Sequence, residues 1–118
     1  MEQDYNGWKN RETWATALHI NNDEGLQNEM EGKVSDLIEK HEGDADEVIS
    51  DLEEWLEEWI TNLVSPNWWR EELGCEMSRG AEMIREDIGS LWRVDWREIA
   101  ENLSYDELET YNREQVSA

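Results

Sequence analysis

The sequence predicts an all-α protein that folds as a single compact domain of five or six helices, and three observations support this prediction. Apolar residues recur at spacings of three and four along most of the 118-residue chain, which is typical of amphipathic helices. No stretch alternates apolar and polar residues for long enough to form a strand. Helix-capping residues precede several of the periodic segments. At this length we expect one domain over residues 1–118.

The first two helices follow an N-terminal arm. Residues 1–9 are predicted to be irregular, and Asn10 can then cap helix 1 over residues 11–20. Asp23 can cap helix 2, whose apolar side chains recur at steps of three and four over residues 26–41.

Residues 44–64 carry the strongest pattern in the chain. Asp44 can cap helix 3, and nine apolar residues between positions 45 and 63 fill one face of it. No Lys or Arg occurs between residues 41 and 69. All acidic residues of the helix fall on the opposite face: Asp46, Glu47, Asp51, Glu53, Glu54, Glu57 and Glu58.

The C-terminal half is predicted to contain two or three helices. Ser65 can cap helix 4, which is predicted to run from residue 66 to residue 88. Asp95 and Glu98 form a capping box that opens helix 5 over residues 96–102. Ser104 repeats this pattern and predicts helix 6 over residues 105–113, followed by a frayed tail at 114–118.

The charge balance restricts the function classes. The formal net charge is -21, from 31 acidic and 10 basic residues, which is the wrong sign for a protein that binds DNA or RNA directly. The single cysteine excludes an intramolecular disulfide and fits a reducing cytoplasm. The first residues do not resemble a signal peptide, and no apolar run is long enough to span a membrane. We therefore expect a cytoplasmic protein, and its negative charge indicates either a partner with a basic surface or a contribution to solubility alone.

The acidic face of helix 3 is the candidate site. Glu54 and Glu58 form an i,i+4 pair of like charge, and such pairs cost about 0.2–0.5 kcal/mol each. Successive carboxylates along the helix lie roughly 4.5–6 Å apart, on the order of phosphate spacing, so that a channel rich in Lys and Arg could accept them. Neighbouring acids that can extend this surface are Asp36, Glu39, Glu71, Glu72 and Glu76.

Two alternatives explain the same acidity without a nucleic-acid-like role. The face can be an ordinary solvated surface, or it can be an adaptation to high salt, which the presence of only three Lys supports. A different class of function is a non-enzymatic adaptor that binds its partner through an exposed Trp, with Trp8, Trp68 and Trp69 as candidates. The Trp residues that are predicted to belong to the core are Trp14, Trp55, Trp59 and Trp96.

The sequence gives little support for catalysis, and we expect no catalytic, cofactor or metal site. His19 and His41 lack the spacing of paired metal ligands. Glu72 and Glu76 flank Cys75, and negative charge disfavours a reactive thiolate. No Gly-rich phosphate-binding loop is present.

Two motifs resemble a known group of proteins. Residues 5–14 read YNGWKNRETW and residues 19–25 read HINNDEG, while residues 94–103 read VDWREIAENL. They resemble a family of small, mostly uncharacterised proteins of phages, archaeal viruses and plasmids, with an N-G-W-x-N-x-E-T-W start and a D-W-x-E-I-A-E segment near the end. The resemblance implies a mobile-element origin and a small helical domain, and it carries no established catalytic activity. Residues 44–64 lie outside the shared pattern.

In its acidic character, though not in its sequence, the chain is similar to the DNA-mimic anti-defence proteins of mobile elements. We therefore expect an anti-CRISPR or anti-restriction inhibitor in the cytoplasm of the host cell. It is expected to block the basic nucleic-acid-binding channel of a host nuclease complex without binding nucleic acid or membrane itself. The sequence leaves its oligomeric state open between monomer and dimer.

Overall fold

Within the described residues, six α-helices account for most of the structure and confirm the predicted all-α fold. The computed structural model describes residues 7–117, so that most of the predicted N-terminal arm and the last residue of the predicted tail lie outside the described residues. The helices are α1 (Arg11–Asn22), α2 (Glu24–Lys40), α3 (Ala45–Leu63), α4 (Pro66–Trp68), α5 (Arg79–Ile88) and α6 (Trp96–Ser117).

The first three helices begin at the predicted caps. The side chains of Asn10, Asp23 and Asp44 accept hydrogen bonds from backbone N–H groups in the first turns of α1, α2 and α3. Helix α1 continues two residues beyond its predicted end, because the N–H of Asp23 still donates to the carbonyl of His19 at 3.2 Å. Asp23 therefore ends one helix and starts the next.

Helix α3 lies at the centre of the packing. Val48, Leu52, Leu56 and Ile60 are at most 1% exposed and form one continuous apolar row along the helix. Helix α6 packs most extensively against this row, and α2 packs beside it. Helix α1 packs against α2 and α5 and completes the core.

The turn between α2 and α3 is closed by α6. Gly43 is buried with φ of +81°, and a Cβ atom there would lie 2.8 Å from the ring of Tyr111. The side-chain amide of Asn112 donates to the carbonyl of Gly43 at 3.2 Å. This position requires glycine both for its backbone conformation and for the close approach of α6.

The prediction of one helix over residues 66–88 is wrong. Ser65 does cap a helix, but α4 passes after three residues into a π-helical turn at Trp69–Leu73. This turn ends at Gly74, whose φ of +67° cannot continue a right-handed helix. A new helix starts only at Ser78, whose hydroxyl oxygen accepts from the N–H of Ala81 at 3.1 Å. The glycine and the second cap divide the segment.

The prediction of two helices after residue 95 is also wrong, since α6 is continuous. Asp95 caps α6 as predicted and accepts from the N–H of Glu98 at 3.0 Å. Ser104 is buried, and its hydroxyl donates to the carbonyl of Ala100 at 2.7 Å instead of capping a new helix. The helix then runs through residues 114–117, which the sequence predicts as a frayed tail.

Candidate functional site

The outward face of α3 carries five acidic residues that are exposed to solvent. None of these carboxylates forms an ion pair with any residue in the described part of the chain. The exposed Ser50 and Thr61 lie on the same face, so that the face is polar throughout. We call these five residues the acidic stripe: Asp46, Glu47, Glu54, Glu57 and Glu58.

The two remaining predicted acids of α3 lie at the edges of this face and are paired. Asp51 faces α2, where its carboxylate lies 2.7 Å from Nε2 of His41 and 3.8 Å from Nζ of Lys40. Glu53 faces α6, where Nη1 of Arg97 lies 3.6 Å from Oε1 of Glu53. The neighbouring helices thus supply cations to both edges of α3 and leave the acidic stripe between them uncompensated.

The hydrogen bond from His41 lowers the pKa of the Asp51 carboxyl. Partial burial opposes this effect, and the positive charges of His41, Lys40 and Lys33 add to it. Asp51 therefore remains ionised further into the acid range than an isolated aspartate, and it acts as a structural ion that joins α2 to α3.

The predicted acids of α2 lie apart from the acidic stripe. Asp36 and Glu39 are both exposed, and Glu39 lines a groove between α2 and α6 together with Asp106, Glu107 and Glu114. Both helices pack against the inner side of α3, so that this groove and the acidic stripe belong to different surfaces.

The groove between α2 and α6 is itself electrostatically crowded. Burial raises the pKa of the Glu107 carboxyl, and the negative charge of Glu31 raises it further. At neutral pH an ionised Glu107 is therefore less favourable in the folded protein than in the unfolded chain.

The predicted acids of helix 4 fall outside regular α-helix. Glu71 and Glu72 are exposed in the π-helical turn, and Glu76 is exposed in the segment between Gly74 and Ser78. Glu76 borders a hollow that also contains Arg70 and Arg85. Part of its field is therefore offset by nearby cations, in contrast to the acidic stripe.

The tryptophans predicted for the core do contact it. Trp96 is 8% exposed, and Trp14, Trp55 and Trp59 are partly buried against the core. Trp55 and Trp59 stack with ring centroids 4.5 Å apart, and the ammonium group of Lys33 lies 5.9 Å from the Trp55 ring.

The strongly exposed tryptophan is one that sequence reasoning missed. Trp8, Trp68 and Trp69 are all partly buried, and the indole N–H of Trp69 donates to the carbonyl of Leu63 at 2.8 Å. Trp92 is 82% exposed in a short 3₁₀ turn, Leu91–Arg93. The segment that follows Gly89 is too short to show a helical period. The sequence therefore gives no indication that Trp92 belongs to an apolar face.

His19 forms a structural contact between α1 and α5. Nε2 of His19 lies 2.8 Å from Oδ2 of Asp87, and Arg11 binds the other oxygen of this carboxylate at 2.9 Å. Among the described residues, no three His, Cys, Asp or Glu side chains are arranged to hold a metal ion. No helix in residues 7–117 has the length and apolar character needed to cross a membrane.

Within residues 7–117, the fold and this surface define a small all-α protein with an acidic face on α3 that has no cationic partner and with one strongly exposed tryptophan. The chain belongs to a family of unknown function (DUF7249), which matches residues 1–116. Comparison with curated proteins and with solved structures gives no significant match.

Proposed function

We propose that this protein is an inhibitor encoded by a mobile element, and that its acidic stripe occupies the nucleic-acid-binding channel of a host defence nuclease. It acts in the host cytoplasm by stoichiometric binding, without turnover, against a CRISPR effector or a restriction enzyme. One observation carries the proposal: the five exposed carboxylates of α3 lack cationic partners in residues 7–117, although α2 and α6 supply cations to both edges of the same helix.

The charge arrangement costs stability in the free protein. Glu54 is an i,i+3 neighbour of Glu57 and an i,i+4 neighbour of Glu58, and each such like-charge pair costs about 0.2–0.5 kcal/mol. A surface rich in Lys and Arg would convert these repulsions into attractions and release bound counterions, as DNA does on binding proteins. Binding to a cationic partner would therefore relieve the repulsion within the stripe, which hydration alone does not do.

The spacing also suits a partner that binds nucleic acid. Four residues of helix correspond to a rise of about 6 Å, so that Glu54 and Glu58 repeat at a distance on the order of phosphate spacing along one strand. Two helical turns separate Glu47 from Glu54 on the same face. The stripe can therefore present a linear row of negative charge to a groove lined with cations.

Charge reversal tests this proposal. Glu54→Lys with Glu58→Lys places two cations in the stripe, and Asp36→Lys with Glu39→Lys makes the same change of charge on the exposed face of α2, apart from the stripe. Inhibition of DNA cleavage is measured with each variant against a panel of purified CRISPR effectors and restriction enzymes. We expect the first pair to abolish inhibition and the second pair to preserve it, with unchanged circular dichroism for both.

A pull-down from host lysate then tests whether the contact with the partner is electrostatic. A nuclease subunit that is released at about 0.5 M salt and displaced by DNA is the expected result, because salt at this concentration screens charges beyond a few ångströms. A partner that stays bound both at high salt and in the presence of DNA would instead support the alternative of an adaptor that binds through an exposed Trp. A chain that binds nothing and folds only in concentrated salt would make the stripe an adaptation to brine.

A further inference from the structure

We propose that the acidic surface prefers arginine to lysine, because Trp92 and the cleft beside it form a receptor for a guanidinium group of the partner. This inference rests on the proposed function in one respect, namely that the partner surface is cationic. It identifies the residue type by which that partner is anchored.

Trp92 lies beside the C-terminal end of α3, the helix that carries the acidic stripe. It shares with Thr61 the walls of a cleft of about 530 Å³, and Thr61 lies one helical turn beyond Glu57 on the exposed face of α3. Of the described residues, Trp92 is the most exposed large hydrophobic side chain, at 82%. A cationic segment that lies along the stripe therefore reaches the indole ring without any change in the fold.

The C-terminal ends of two helices and the start of α4 border this cleft. Helices α3 and α5 both end there, since Val64 and Gly89, the residues that follow them, line its walls. The C-terminal ends of helices carry partial negative charge on their free carbonyl groups. Among the described residues, Arg85 is the one charged residue of the lining. It also borders a hollow in which three acids, Glu76, Glu82 and Glu86, outnumber the two cations, Arg70 and Arg85.

The indole ring supplies the preference for a guanidinium group. The guanidinium carbon of Arg93 already lies 5.5 Å from the centroid of the Trp92 ring, which shows that the ring accepts this group on one side. Because Trp92 remains 82% exposed, the rest of the ring is open to a second group. A planar, weakly hydrated guanidinium stacks on an aromatic face, whereas an ammonium group is compact and strongly hydrated.

The test compares two peptide probes of equal charge, capped hexa-arginine and capped hexa-lysine, by calorimetric titration at low ionic strength. The wild-type protein is expected to bind hexa-arginine about two- to five-fold more tightly, the range that an exposed cation–π contact supports. Trp92→Ala is expected to remove this difference and to leave the Kd for hexa-lysine unchanged. Tyr105→Ala, which removes an aromatic ring that is 63% exposed on α6, serves as the matched control and retains the preference.

A second measurement tests the inference in the wild-type protein, so that it does not depend on how Trp92→Ala folds. The indole N–H resonance of Trp92 is expected to shift on addition of hexa-arginine and to stay in place with hexa-lysine. Equal affinities for the two peptides in the wild-type protein, or a preference that persists in Trp92→Ala, would overturn the inference.

The proposed function and this inference can be overturned independently of each other. If Glu54→Lys with Glu58→Lys leaves the affinity for both peptides unchanged, the stripe does not bind cations and the proposed function falls. The ratio of the two affinities in Trp92→Ala then still decides whether the tryptophan selects arginine.

Discussion

The two faces of α3 differ in their contacts with the rest of the protein. Its inner row, Val48, Leu52, Leu56 and Ile60, is at most 1% exposed and packs against α6 and α2. Its outer face, the acidic stripe, has no ion pair to any described residue and repels itself. One helix therefore provides stability on one side and gives up a little of it on the other. Substitutions on the two sides should have effects of different size and opposite sign.

The largest effect is expected on the inner face. Leu56→Ala opens a cavity where α3 meets its neighbours and should reduce the free energy of unfolding by about 2–5 kcal/mol. Glu57→Ala, one residue along the chain and exposed, should stay within about 0.5 kcal/mol of the wild type. Urea denaturation of both variants measures the contrast. Similar losses at the two positions would show that the outer face is also part of the stabilising structure.

The second prediction concerns the centre and the edge of the outer face. Glu54→Lys turns the repulsions with Asp51, Glu57 and Glu58 into attractions and should stabilise the protein by about 0.5–1 kcal/mol at low salt. Glu53→Lys, at the edge, should destabilise it because it repels Arg97. Thermal unfolding at two salt concentrations checks both signs, and the gain from Glu54→Lys should shrink as salt screens the charges. A loss of stability in Glu54→Lys would contradict the assignment of the stripe as uncompensated.

A smaller, pH-dependent effect is expected at the edge facing α2. Asp51→Asn removes the carboxylate that holds His41 and should lower the Tm at neutral pH. The pKa of Asp51 is lowered in the folded protein, so its stabilising contribution is complete above the ordinary pKa of an aspartate. This contribution is lost as the pH falls through the lowered pKa. The Tm values of wild type and variant should therefore converge in strong acid.

The smallest effect is expected in the groove between α2 and α6, and its sign is opposite. The pKa of Glu107 is raised, so its ionised form destabilises the folded protein at neutral pH. Glu107→Gln should raise the Tm slightly at pH 7. The gain should vanish as the pH falls through the raised pKa to the ordinary value for glutamate, where the carboxyl is neutral in both folded and unfolded states. A gain that persists in acid would assign the effect to packing instead of charge.

Local signals in the sequence are sufficient for the first half of the fold. The caps at Asn10, Asp23 and Asp44 and the apolar row of α3 predict α1–α3 to within two residues at each end. These signals succeed because capping and periodicity depend on neighbours within one or two helical turns.

The second half shows where local signals fail. Ser104 has the sequence context of a cap, but burial against the core directs its hydroxyl to the carbonyl of Ala100. The π-helical turn and the left-handed conformation of Gly74 likewise leave no periodic signature. Tertiary packing decides both cases.

The candidate site was predictable in outline only. The helical period places all seven acids of α3 on its outer side, but it cannot reveal that His41 and Arg97 reach the edges from other helices. The exposure of Trp92 depends on a turn of three residues, which carries no periodic information. The separation of Glu39 from the stripe depends on how α2 and α6 pack, which is also non-local.

The dependence of α3 on α6 has a consequence for synthesis on the ribosome. Helix α3 is complete at residue 63, whereas α6 begins at residue 96. At about 5–20 residues per second, the intervening chain takes about 2–6 seconds to make. During this interval the apolar row of α3 lacks its most extensive partner and is open to the contacts that cause nascent chains to aggregate. We expect the negative charge on the other side of the same helix to repel other nascent chains and so to reduce aggregation of the unfinished protein.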